Sequence, residues 1–204
     1  MFDAPYTFQL VGKESNLDAD PYQKVYYAFR ARQRRYILTF ELFSINVVSV
    51  KFCAKEHLHT KNAYSIILND ADANRVIGTC FHIMNHYWQK NKNVNFVFYA
   101  SLREIIDFAI KKKAIAEEER DIFAAQYARV RFRIYKYGMV NLFSYEHFTQ
   151  VVDPVNCIYV LLNKNELDGE GVMTRLSEFL LRNYELIFNP DYEAPQPVPG
   201  IHIG

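Results

Sequence analysis

Up to residue 70, the runs 5–12, 24–31, 34–43, 46–55 and 63–69 are rich in strand-favouring residues, and several of them alternate apolar and polar positions with period two. Alternation puts successive side chains on opposite faces of an extended strand, so these runs, joined by short polar connections, predict an antiparallel meander. The period then changes. Val76, Cys80, Ile83, Met84, Tyr87 and Trp88 recur at steps of three and four, which lays one apolar stripe along a helix. Residues 94–101, apolar and rich in Val and Phe, then read as a strand. Strand 63–69, the helix and strand 94–101 make a βαβ unit, whose two strands are expected to run parallel with a right-handed crossover.

Farther along, Phe123, Tyr127, Val130, Ile134 and Tyr137 keep helical spacing, acids at 117–119 suit a helix start, and Gly138 suits its end. Residues 129–137 also alternate strictly, so a strand competes with a helix there. After Gly138 come an apolar strand at 139–143, a short apolar segment at 146–152, a strand at 157–163 and an amphipathic helix from Val172 to Phe188. Pro154 and the turn-like Asp-Gly-Glu-Gly at 168–171 separate these pieces. The fold class expected is α/β in the broad sense (α+β): a mixed, mostly antiparallel sheet with a βαβ unit and a C-terminal helix. It forms one domain over 1–188, and the four prolines of 189–204 mark an extended tail.

Composition narrows the function classes. Half of the 204 residues are hydrophobic, enough for one substantial core, and the sixteen Phe and fifteen Tyr suit a twisted sheet covered by helices. A net charge of +1 sets up no global field that would favour nucleic acid, membrane or acidic partners. No apolar run reaches the roughly 18 residues that span a bilayer, and the start is acidic where a signal peptide is basic, so a cytoplasmic protein is expected. Cys53, Cys80 and Cys157 lie far apart in apolar contexts and read as reduced, buried thiols.

The six residues Arg75-Val76-Ile77-Gly78-Thr79-Cys80 fall where the strand pattern gives way to the helix pattern. A glycine in such a turn lets the backbone approach a ligand, and the free N–H groups of a following helix favour an anion. The spacing R-x-x-G-x-small resembles the acyl-coenzyme A pyrophosphate loop of the GNAT family of N-acetyltransferases, usually Q/R-x-x-G-x-G/A. The family's later Y-x-K-x-G-F pattern has a counterpart in Ile134-Tyr135-Lys136-Tyr137-Gly138-Met139, in which Lys136 and Gly138 match. The likeness runs from about Tyr64 to Phe143 and extends to small bacterial proteins that look like degenerate acetyltransferases. It implies acyl-coenzyme A as cofactor, with the pyrophosphate on the N–H groups of Ile77, Gly78, Thr79 and Cys80 and charge added by Arg75. It also implies acyl transfer to an amine, with Tyr135, one position from the family's tyrosine, as the acid that protonates the departing thiolate. The competing reading is a non-catalytic module that keeps the fold and uses its surface for a protein or nucleic-acid partner.

Other candidates carry plainer readings. Arg30, Arg32, Arg34 and Arg35 cluster among Tyr26, Tyr27, Phe29 and Tyr36. Basic groups beside aromatics can neutralise phosphates and stack bases, but they also suit a solvated hairpin turn, and the near-neutral chain speaks against nucleic acid. His82 and His86 share a helix face without the glutamate of a zinc-protease motif, and His57 and His59 read as surface residues, so no metal is assigned.

Overall fold

The computed structural model describes residues 4–18, 21–60, 63, 72–99, 110, 116, 118, 138–139, 142–143, 146–153, 158–166 and 168–184. The predicted meander is β1 (Phe8–Ser15), β2 (Gln23–Arg30), β3 (Arg35–Phe43) and β4 (Val47–Ala54), each antiparallel to the next. Helix α1 (Ala73–Lys90), strands β5 (Asn95–Tyr99), β6 (Phe148–Asp153) and β7 (Ile158–Asn163), and helix α2 (Gly169–Tyr184) follow. The strands form one seven-stranded sheet in the order β1-β2-β3-β4-β5-β7-β6. It is mixed and mostly antiparallel, with β4 and β5 as its parallel pair.

Period-two alternation sorts the core. On one face Tyr36, Leu38, Phe40 and Leu42 of β3, with Phe96 of β5 and Tyr159 of β7, pack under α1. The stripe Val76, Cys80, Ile83, Met84, Tyr87 and Trp88 is buried there as its spacing predicts, and Trp88 lies 5.3 Å from the Phe148 ring. The other face presents Phe43, Val47, Val97, Ile158 and Val160 to Val172, Leu176, Phe179 and Leu180 of α2. β3 lies in the interior of the sheet and is buried along nearly its whole length, which fits its almost continuously apolar sequence.

Several expectations are corrected. The parallel pair flanking α1 is β4 and β5, while the run 63–69, expected as the first strand of the βαβ unit, lies outside the described residues but for Ala63. Ala63 is buried in a 3₁₀ turn. Met139, Leu142 and Phe143 are not a strand. Gly138, Met139 and Leu142 are helical, and the Phe143 N–H bonds the Met139 carbonyl at 2.9 Å, which turns Met139 and Phe143 into the same core. The segment 168–171 is the start of α2 and not a separate turn: the Asp168 carboxylate accepts the Gly171 N–H at 3.2 Å, capping the first turn. Tyr135, Lys136, Cys157, the stretch 119–137 and the tail 189–204 lie outside the described residues. No helix among the described residues is long and apolar enough to cross a membrane.

Candidate functional site

The start of α1 is built from three pieces of chain. Asp72 occupies the position before the first helical residue, and its carbonyl accepts the N–H groups of Arg75 at 2.9 Å and Val76 at 3.0 Å. Its carboxylate does not cap the helix. It accepts the Tyr6 hydroxyl and a backbone N–H of Arg32 from the β2–β3 turn. The Tyr6 bond, followed by that Arg32 amide, holds the Asp72 carboxyl below its usual range despite some desolvation, and the same bond raises the Tyr6 phenol. The Tyr6 ring lies parallel to Phe29 at 6.3 Å, and Phe29 parallel to Tyr36 at 5.4 Å. Arg75 closes the stack, with its guanidinium carbon 4.0 Å from the Tyr6 centroid and its Nε donating to the Ala4 carbonyl at 2.7 Å. Thr79 Oγ1 accepts the Tyr6 N–H at 3.0 Å and donates to the Arg75 carbonyl at 2.8 Å.

This geometry differs from the loop expected at Arg75–Cys80. The six residues lie inside α1, which begins at Ala73. In a helix each N–H bonds the carbonyl four residues back, so the amides of Ile77, Gly78, Thr79 and Cys80 belong to the ladder and do not form an open cradle. Gly78, Thr79 and Cys80 are buried in the helix–sheet contact, and Ile77 is half-buried against the core. Desolvation drives the Cys80 thiol far above its ordinary range and pushes that of Cys53 up to about 11, so neither is a reactive thiolate. Of the predicted site residues that are described, only Arg75 and Thr79 are brought together. Tyr6 and Asp72 complete the cluster and were missed by sequence reasoning, although an Asp directly before a helical stripe is a recognised start signal.

Because the Asp72 carboxyl is lowered in the folded state, its bond stabilises the protein above the ordinary value of 3.8 and that contribution is lost as pH falls through the folded value. Tyr6→Phe should therefore cost a solvent-screened amount of about 0.5–1 kcal/mol. That gap should be constant from pH 8 to pH 5 and shrink below 3.8, as urea midpoints across this range will show.

A second feature lies at the carboxyl end of the parallel pair. The β4–β5 ladder consists of Val47–Asn95, Val48–Phe96 and Ser49–Val97, after which β5 continues with β7 through Tyr99. Among the described residues, Val50 to Ala54 pair with β3 alone. The two strands thus part beside the start of α1, at the strand end where open α/β sheets hold ligands. Behind this opening, on the face away from α1, Glu41 is buried with its carboxylate 2.6 Å from Lys51 and 3.5 Å from Lys24. No group of three His, Cys, Asp or Glu suited to a metal occurs among the described residues. The chain matches no known family, no curated protein and no solved structure.

Proposed function

We propose that the protein binds an acyl-coenzyme A in the opening between β4 and β5 and transfers its acyl group to an amine. The observation that carries this reading is the β4–β5 ladder that stops after three pairs while β4 runs on to Ala54. A strand edge without a neighbouring strand offers peptide N–H and C=O groups to an extended ligand. The pantetheine arm of coenzyme A, an extended chain with two amides, is such a ligand. A parallel pair bridged by a helix is also the arrangement that the acetyltransferase likeness implies, although likeness of fold does not by itself carry activity. The pyrophosphate then rests near the start of α1 at Asp72 to Asn74, with no cradle at Ile77–Cys80. Tyr135 keeps its proposed role as the acid for the departing thiolate.

Thermal unfolding with ligand tests the reading. Acetyl-coenzyme A at a hundredfold excess over its dissociation constant should stabilise the protein by about 2.7 kcal/mol. The shift should exceed that given by ADP, because the arm carries the contacts. No shift at millimolar acetyl-coenzyme A would remove the reading. A specific observation favours the second reading, a non-catalytic module: the start of α1, where the phosphates would lie, already holds the Asp72 carboxylate bonded to Tyr6. A shift without acyl transfer to any amine would select it.

A further inference from the structure

On the β1 side of the sheet, at the end where α1 starts, the β2–β3 hairpin carries a charge arrangement that the fold itself does not need. Arg30 and Arg35 are directly opposed cross-strand partners at the end of the β2–β3 ladder. Directly opposed like charges destabilise a sheet. The neighbouring Arg34 is answered by the Glu56 carboxylate at 2.5 Å, and Arg34 in turn lowers that carboxyl. Neither Arg30 nor Arg35 has a carboxylate partner among the described residues.

The two side chains border a cavity of about 430 Å³, which Arg34, Gln9 and Gln33 also line. Ala28, buried on the same face of β2 as Arg30, also lines it. Guanidinium and carboxamide donors gathered around a cavity of this volume suit a small polar molecule. Guanidinium forks match the oxygens of a phosphate, and a dianion between Arg30 and Arg35 turns their repulsion into two charge-assisted contacts. Strand register fixes both Cα positions before the ligand arrives, since the hairpin closes through the Ala31 N–H to the Arg34 carbonyl at 2.9 Å.

We propose that this cavity binds a small phosphate-bearing molecule of about nucleotide size, with its phosphate held between Arg30 and Arg35. A chain of net charge +1 with three of its twelve arginines lining one cavity suits one phosphorylated ligand better than the long backbone of a nucleic acid.

Calorimetric titration of the whole chain with AMP and with inorganic pyrophosphate, at matched ionic strength, tests the proposal. Arg35→Glu is the informative variant, because it replaces opposed like charges by an opposed ion pair and so cannot lose binding through misfolding. Its melting temperature without ligand should equal or exceed that of the wild type. Its affinity for both probes should fall by about tenfold or more, the value of one charge-assisted contact. Arg34→Gln, which removes a charge already answered by Glu56, should weaken binding less. Equal affinity in wild type and Arg35→Glu, or no heat from the wild type with either probe, overturns the proposal. So does binding of a single-stranded oligonucleotide at phosphate concentrations where AMP gives none.

Discussion

Replacing Gly138 with valine is expected to destabilise the protein by about 3 kcal/mol or more, at the upper end for overpacked sites. A Cβ built on Gly138 would lie 2.0 Å from Cε2, 2.5 Å from Cδ2 and 2.7 Å from Cζ of Phe81, all far inside van der Waals contact. Phe81 cannot swing away cheaply, because it is 1% exposed and lies with its ring 6.3 Å from that of Phe98. Alanine at 138 should already be costly, since the first carbon makes the clash. Phe81→Ala on its own should cost about 3–5 kcal/mol by leaving a cavity. Combined with Gly138→Val it should cost much less than the sum, because each change relieves the other. Urea midpoints of the four proteins close this cycle. Gly138→Ala within 0.5 kcal/mol of wild type would show that the two segments do not meet so closely.

Asn95→Leu, which keeps the number and branching of the side-chain heavy atoms, should cost about 3 kcal/mol. Asn95 is completely buried, where its Nδ2 donates to the Asn46 carbonyl at 2.9 Å and its Oδ1 accepts the Asn163 N–H at 2.8 Å. One side chain therefore ties the β3–β4 turn, β5 and the end of β7. Leucine makes neither bond and leaves a donor and an acceptor without their partner, each loss worth about 1–3 kcal/mol. Asn46→Gly provides the control. Asn46 has φ of 60°, which glycine adopts without strain, so the turn persists and only the side-chain bonds to the Asn93 carbonyl and the Glu166 carboxylate are lost. That variant should lose less than half of what Asn95→Leu loses, as guanidinium titrations will measure.

The legible part of the chain was the part where one period dominates. β1 to β4 are legible as short strand-favouring runs joined by polar connections, and the α1 stripe as three-and-four spacing along its one buried face. Glycine misled the reading twice, for the same reason. At Gly78 a flexible residue suggested a turn, yet the position is buried within α1. At Gly138 the residue suggested a helix end, whereas the missing Cβ makes room for Phe81. Nothing local distinguishes a glycine that bends the chain from one that lets two segments touch. The partner of β5 was illegible for a related reason: pairing is decided by which edges are vacant, and that depends on β7, more than sixty positions away. The Tyr6–Asp72 cluster likewise joins residues whose spacing carries no pattern.

The position of β7 between β5 and β6 bears on the order in which the molecule assembles. The meander closes through sequence-local hairpins, so loop-closure entropy opposes its formation only weakly. β5 brings one edge to β4 and waits for a neighbour made much later in the chain. β6 has no place on the sheet until β7 occupies that edge, so the two arrive together as a preformed hairpin. α2 packs on Val97, Ile158 and Val160, a surface completed only by that arrival. During synthesis on the ribosome, the amino-terminal half thus emerges as a nearly finished platform with β5 as its temporary border, and the elements from Phe148 to Tyr184 supply the piece that closes it.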